Sequence, residues 1–119
     1  MKPELTVENK IWLISNGRYV FGPGLAGLLA NVDKLGTLRD AARESKISYR
    51  HAWDMIKTAE EHLGYSLLIR QVGGVGGGRS ALSSAGTRFL EIFERLNDDV
   101  NKYASKRLAR LMKVPGEKS

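Results

Sequence analysis

Residues 37–63 read TLRDAARESKISYRHAWDMIKTAEEHL. Thr37 and Asp40 resemble the capping pair that opens a helix, so a short helix is predicted to begin here. Ser48 is a good N-cap for a second, longer helix, which Gly64 would end. Small side chains would let the two helices approach closely: Ala41, Ala42 and Ala52. Two helices joined by a tight turn in this way form a helix-turn-helix.

The residues before this stretch predict a β-hairpin and one further helix. Residues 10–15 and 18–21 are rich in β-forming side chains, and Asn16-Gly17 between them tolerates the positive φ angles of a tight turn. Apolar residues then recur at helical spacing: Leu25, Leu28, Leu29, Val32 and Leu35. Gly36 would end this helix. Three short helices with tight connections indicate a compact trihelical core.

The residues after the helix-turn-helix predict a wing. Residues 67–71 and 80–82 are suited to two strands, and residues 73–79 between them read GGVGGGR. This glycine run cannot form regular structure, and it ends in a basic side chain at Arg79. A strand, a flexible basic loop and a strand that directly follow a helix-turn-helix form a wing.

A long last helix is predicted to begin after Ser83, which is a suitable N-cap. Its apolar residues step by four and three, which is the spacing of paired helices. They are Phe89, Phe93, Leu96, Val100 and Tyr103. We expect this stripe to be a dimer interface with a second copy of the chain.

Together these elements predict a mainly α fold with a small β content (α+β). It is a winged helix-turn-helix with an N-terminal β-hairpin and a long C-terminal dimerisation helix. The predicted boundaries are residues 1–82 for the DNA-binding domain, 83–113 for the dimerisation helix and 114–119 for a disordered tail.

Charge and composition restrict the partners. Nineteen lysines and arginines stand against thirteen acidic residues, a formal net charge of +6, which favours polyanions such as nucleic acid or an anionic membrane surface. The chain has no cysteine, and therefore neither a disulfide framework nor a thiolate metal site. It shows neither an apolar run of membrane-spanning length nor the apolar core of a signal peptide. We therefore expect a cytoplasmic protein without a membrane partner.

The helix that begins after Ser48 is the predicted recognition helix, because such helices read base edges from their N-terminal residues. Arginine can donate twice to guanine, and tyrosine can reach a phosphate or a thymine methyl group. The sequence leaves open whether Trp53 contacts DNA or packs under the wing or the second helix. The candidate DNA-binding residues are Ser48, Tyr49, Arg50, His51, Trp53, Lys57, Arg70, Gly76, Gly77, Gly78 and Arg79.

Two glycine patterns resemble nucleotide-binding motifs. Residues 22–27 match G-x-G-x-x-G, but a helix and not a second parallel strand is predicted to follow. Residues 73–80 are one residue from a P-loop, with Arg79 in place of lysine, but a P-loop leads straight into a helix and here residues 82 and 83 intervene. His51 and His62 lie roughly 16 Å apart along one helix and cannot share a metal ion.

Three segments together resemble the DNA-binding domain of ModE-type molybdate-responsive regulators. They are the run ISYRHAW at residues 47–53, the glycine-rich wing, and ALSSAG at residues 81–86. A more distant resemblance to LysR-type regulators covers residues 47–70. The resemblance implies a winged helix-turn-helix and a dimer. ModE-type regulators carry oxyanion-binding domains after the long helix, and this sequence does not continue into them. We therefore expect no molybdate binding from this chain alone.

The expected function is a sequence-specific, DNA-binding transcription regulator that acts as a homodimer on a near-palindromic operator. Its expected partners are double-stranded DNA and a second copy, and we expect neither an enzyme activity nor a cofactor nor a bound metal. Two alternatives remain: a winged-helix module for protein–protein interaction, and a nucleotide-binding protein that uses residues 73–80.

Overall fold

The computed structural model describes residues 4–71 and 78–113. In these ranges the elements follow the predicted order of hairpin, three helices, wing and long helix. They are β1 (Leu13–Ser15), β2 (Arg18–Phe21), α1 (Pro23–Leu35), α2 (Leu38–Glu44), α3 (Tyr49–Leu63), β3 (Leu68–Gln71), β4 (Arg79–Leu82) and α4 (Ser84–Met112). The winged helix-turn-helix fold predicted from the sequence is confirmed.

The N-terminal hairpin pairs β1 with β2 in antiparallel register around the predicted turn. Asn16 and Gly17 have φ angles of 50° and 78°, the left-handed values that a two-residue hairpin turn requires. The first strand is shorter than expected: it begins at Leu13, and a bulge shifts its register between Leu13 and Ile14.

The predicted helix ends are formed by the expected caps. The Thr37 hydroxyl accepts a hydrogen bond from the Asp40 backbone N–H at 3.0 Å, and the Ser48 hydroxyl accepts one from the His51 N–H at 3.0 Å. Gly36 and Gly64 end α1 and α3 with φ near 80°, a conformation that costs glycine little. These caps fix where α1 ends, where α2 begins and where α3 begins and ends.

A single apolar core joins the three helices to the hairpin and to the start of α4. Alanine side chains on α2 and α3 are fully buried where the helices meet, which permits the close approach expected from their size. The largest fully buried side chains are Phe21, Leu28, Leu29, Val32, Ile56 and Leu67.

Backbone hydrogen bonds at both ends attach the wing to the helices. The Ser80 N–H donates to the Gly36 carbonyl at 2.8 Å, and the Ser83 N–H donates to the Leu67 carbonyl at 2.9 Å. At the second attachment Gly86 lies so close to the Leu67 carbonyl that a Cβ atom would overlap it. Gly86 therefore lets α4 pack against the base of the wing.

Candidate nucleic-acid interface

Helix α3, the predicted recognition helix, has one buried and one exposed face. Ala52, Ile56 and Ala59 are completely buried in the trihelical core. The residues at the N-terminus of this helix are exposed: Ser48, Tyr49, Arg50 and His51. The core therefore presents the first turn of α3 to solvent, as a recognition helix requires.

Trp53 lies between the core and the solvent. It is half-buried and packs against the apolar core, and the Arg70 guanidinium covers its ring, with Cζ 4.0 Å from the ring centroid. The structure thus places Trp53 beneath a strand of the wing, so its covered face is not free for a base.

Tyr49 is the centre of a small aromatic and basic cluster. The Arg39 guanidinium lies over its ring, with Cζ 4.9 Å from the centroid, and Arg70 Nη2 donates to its hydroxyl at 3.3 Å. Its ring meets that of Trp53 edge-on, with centroids 6.3 Å apart. Arg39 was not among the residues predicted from the sequence. The available signal was an arginine in the first turn of the helix that precedes the recognition helix.

Lys57 is exposed on α3, on the side where Arg70 lies. Together with Trp53 and Asp54, these two cations line an open recess of about 300 Å³ between α3 and the wing strand β3. Two positive charges and one carboxylate leave this recess with a positive balance. An anionic group such as a phosphate can approach there.

The described part of the wing places Gly78 and Arg79 at the surface. The Arg79 side chain lies over the turn between α1 and α2, so close that a Cβ at Gly36 would come within 2.8 Å of Nη2. Gly76 and Gly77, with the rest of residues 72–77, lie outside the described residues. Arg79 also begins strand β4 and does not lead into a helix, so the arrangement that a P-loop needs is not formed.

The predicted dimer stripe on α4 is divided between two environments. Phe93 is buried in the chain's own core, 5.4 Å from the ring centroid of Phe21, and Phe89 is half-buried beside it. The assignment of Phe93 to the dimer interface is corrected by this packing, which leaves no face of its ring for a partner. Leu96 is 41% and Tyr103 69% exposed, and Val100 is half-buried.

Within the described ranges, no group of three metal-ligating side chains lies close enough together to hold an ion. No helix in those ranges has the length and apolarity needed to cross a membrane. The pKa of Lys102 on α4 is raised by its hydrogen bond to Asp98, at 3.1 Å, and by the charge of that carboxylate. This pair is exposed and belongs to the helix surface.

Comparison with known proteins points to one group of regulators. No family profile matches the chain. The transcriptional regulator ModE of Haemophilus influenzae is 32% identical over 74 residues, which cover 62% of this chain and 29% of the relative. The DNA-binding transcriptional dual regulator ModE of Escherichia coli K12 is 31% identical over 74 residues, covering 62% of this chain and 28% of that protein. The chain resembles the DNA-binding domain of ModE-type regulators.

A solved structure supports the same fold. ArgP from Mycobacterium tuberculosis, a LysR-type regulator, aligns with 80% of this chain and 32% of its own length, at a TM-score of 0.50 and 26% identity. The resemblance to ModE-type and LysR-type regulators that the sequence predicted is therefore confirmed. The chain spans about 30% of the length of the ModE relatives, so the similarity concerns their DNA-binding part and not the whole regulator.

Proposed function

We propose that this chain is a sequence-specific DNA-binding unit of a transcription regulator, in which α3 enters the major groove and the wing flanks it. The single observation that supports this proposal most strongly is the exposed N-terminal turn of α3, which presents Tyr49, Arg50 and His51 beside three further exposed cations. Those cations are Arg39, Lys57 and Arg70. The E. coli relative is named as a DNA-binding regulator, which agrees with this reading.

Within this surface Arg50 is the proposed base reader. It is exposed in the first turn of α3, where recognition helices meet base edges, and arginine can donate two hydrogen bonds to guanine. Its neighbour Tyr49 is already engaged by two arginines of the same chain. His51 and Ser48 extend the exposed edge, and Arg79 with the glycines of the wing would approach the phosphate backbone.

We further propose that the regulator acts as a homodimer on a near-palindromic operator. The C-terminal part of α4 exposes Leu96, Tyr103 and Leu111, and a second copy of this helix is the occupant that its coiled-coil spacing suits. Two α3 helices that read one face of the duplex need half-sites roughly 34 Å apart, about one helical turn.

The experiment is selection of a binding site from random DNA, followed by titration of Arg50→Ala. Loss of a bidentate base contact should cost about 1–3 kcal/mol on the selected site and relax the preference at one base pair. Arg110→Ala, which removes the same charge from the far end of α4, is the matched control and should keep the full preference. If Arg50→Ala retains the base preference of the wild type, α3 is not the reader.

A further inference from the structure

Two exposed guanidinium groups are held in place by the aromatic side chains of α3. Arg39 comes from the first turn of α2 and lies over the ring of Tyr49, and Arg70 comes from β3 and lies over the ring of Trp53. The Tyr49 hydroxyl also accepts a hydrogen bond from Arg70. Tyr49 and Trp53 lie four residues apart on α3 and touch edge to face, so the four side chains form one connected cluster. Each arginine is thereby fixed relative to the recognition helix.

The charges of this cluster remain available to a ligand. Arg39 and Arg70 are both exposed, and neither forms an ion pair with a carboxylate within the described ranges. Arg43, one turn further along α2, differs because it pairs with Asp40 at 3.5 Å. Apart from the Arg70 N–H that donates to Tyr49, the described ranges show no hydrogen-bond partner for the N–H groups of these two guanidinium groups, whose planar geometry suits phosphate.

We propose that Arg39 and Arg70 form a phosphate clamp for the DNA backbone on the two sides of the N-terminus of α3. In this arrangement Tyr49 and Trp53 are positioning residues, and Tyr49 does not read a base. The proposal rests on the proposed DNA-binding function, to which it adds a defined ligand, the phosphodiester group, and a residue, Arg39, outside the predicted set. Because both arginines are already ordered, binding a phosphate costs less side-chain entropy than it would for free arginines.

The recess beside Trp53 supports the Arg70 side of the clamp. It is open, and Lys57 lines it together with Arg70, so a phosphate there meets two cations. Asp54 is the one carboxylate on its rim.

The test measures binding of the full chain to its selected duplex and to a scrambled duplex by fluorescence anisotropy over a series of salt concentrations. Arg39→Ala and Arg70→Ala should each lower the salt slope by about one. Each should also weaken both duplexes by a similar factor, roughly fivefold to tenfold near 0.1 M salt. The control Arg110→Ala should leave the slope unchanged. Circular dichroism spectra should be used to check that each variant is folded.

Three further substitutions test whether Tyr49 and Trp53 position the arginines or contact a base. Tyr49→Phe keeps the ring under Arg39 and removes only the hydroxyl that holds Arg70, so it should weaken both duplexes equally and keep the base preference. Trp53→Leu removes the aromatic ring under Arg70 and should reproduce the reduced salt slope of Arg70→Ala. Trp53→Phe keeps an aromatic ring there and should retain the wild-type slope.

The outcomes distinguish the clamp from the function on which it rests. A wild-type chain without salt-dependent DNA binding would overturn the proposed function itself. Wild-type binding with unchanged salt slopes in both arginine variants would overturn the clamp alone. A changed base preference in Tyr49→Phe would show that Tyr49 reads a base and would overturn its positioning role.

Discussion

The two halves of α4 carry apolar residues at similar spacing but use them differently. In the N-terminal half, Leu90 and Phe93 are buried in the core, and Phe93 lies against Phe21 of the hairpin. Further along the helix, Leu96 just before the midpoint and Tyr103 and Leu111 beyond it are exposed. One helix therefore completes the fold at its beginning and presents an apolar surface at its end.

For Leu96 and Tyr103 the difference follows from the direction of each side chain around the helix, whereas Leu111 points in the same direction as Phe93 and is exposed because it lies about five turns further along, beyond the core. At about 100° per residue, Leu90 points roughly 120° away from Leu96, whereas Tyr103 points within about 20° of it. The face of Leu90 and Phe93 meets the core, and the neighbouring face of Leu96 and Tyr103 does not. An apolar stripe thus combines two adjacent faces with different partners, one inside the chain and one proposed to be a second copy.

The largest expected effect is in the first half of the helix. Phe93→Ala removes an aromatic ring that is 4% exposed and should lower the free energy of unfolding by about 3–5 kcal/mol, because the core cannot fill the cavity. Urea denaturation measures this loss, which should be independent of protein concentration. Tyr103→Ala is the matched control in the second half. Any decrease that it causes in the free energy of unfolding should become smaller as the protein is diluted, because it would act through the proposed dimer. A loss below about 1 kcal/mol for Phe93→Ala would contradict its assignment to the core.

The second prediction concerns Leu96, on the exposed face of the helix. Leu96→Glu should convert the proposed dimer into a monomer, because the partner would have to bury an unpaired charge. Sedimentation should show twice 13.2 kDa for the wild type and 13.2 kDa for the variant. Ser105→Glu adds the same charge on the opposite face of α4 and should remain dimeric. A wild-type monomer at about ten micromolar would refute the dimer, and dissociation by both variants would refute its location.

The sequence predicted the order of elements well because local signals determine it. The Asn-Gly turn, the Thr37 and Ser48 caps and the glycines after α1 and α3 all act within a few residues, and the structure confirms each of them. The partner of an apolar face is not a local property. For this reason the helical stripe was assigned to a dimer as a whole, although Phe93 belongs to the core.

The candidate site shows the same limit. Helical spacing and the cap were enough to predict that Tyr49, Arg50 and His51 are exposed at the start of α3. The position of Trp53 could not be settled, because the side chain that covers it comes from β3, seventeen residues later in the sequence. Arg39 was missed for a related reason: only the packing of α2 on α3 brings it over the ring of Tyr49.

The smallest predicted effect concerns the attachment of the second half of α4 to the N-terminal residues of its own chain. Asn101 Oδ1 accepts hydrogen bonds from the Asn9 backbone N–H at 3.1 Å and from Asn9 Nδ2 at 3.2 Å. These bonds connect the N-terminal arm, residues 4–12 before β1, to this half of the helix. Asn101→Ala removes the acceptor and should cost about 0.5–1.5 kcal/mol, since the site is only partly buried. Amide hydrogen exchange should become faster at Asn9 and little changed in the core. Asn101→Asp keeps an oxygen acceptor and should retain most of the protection. Equal protection at Asn9 in the wild type and in Asn101→Ala would show that contacts other than Asn101 hold Asn9 in place, and the proposed role of this hydrogen bond would be wrong.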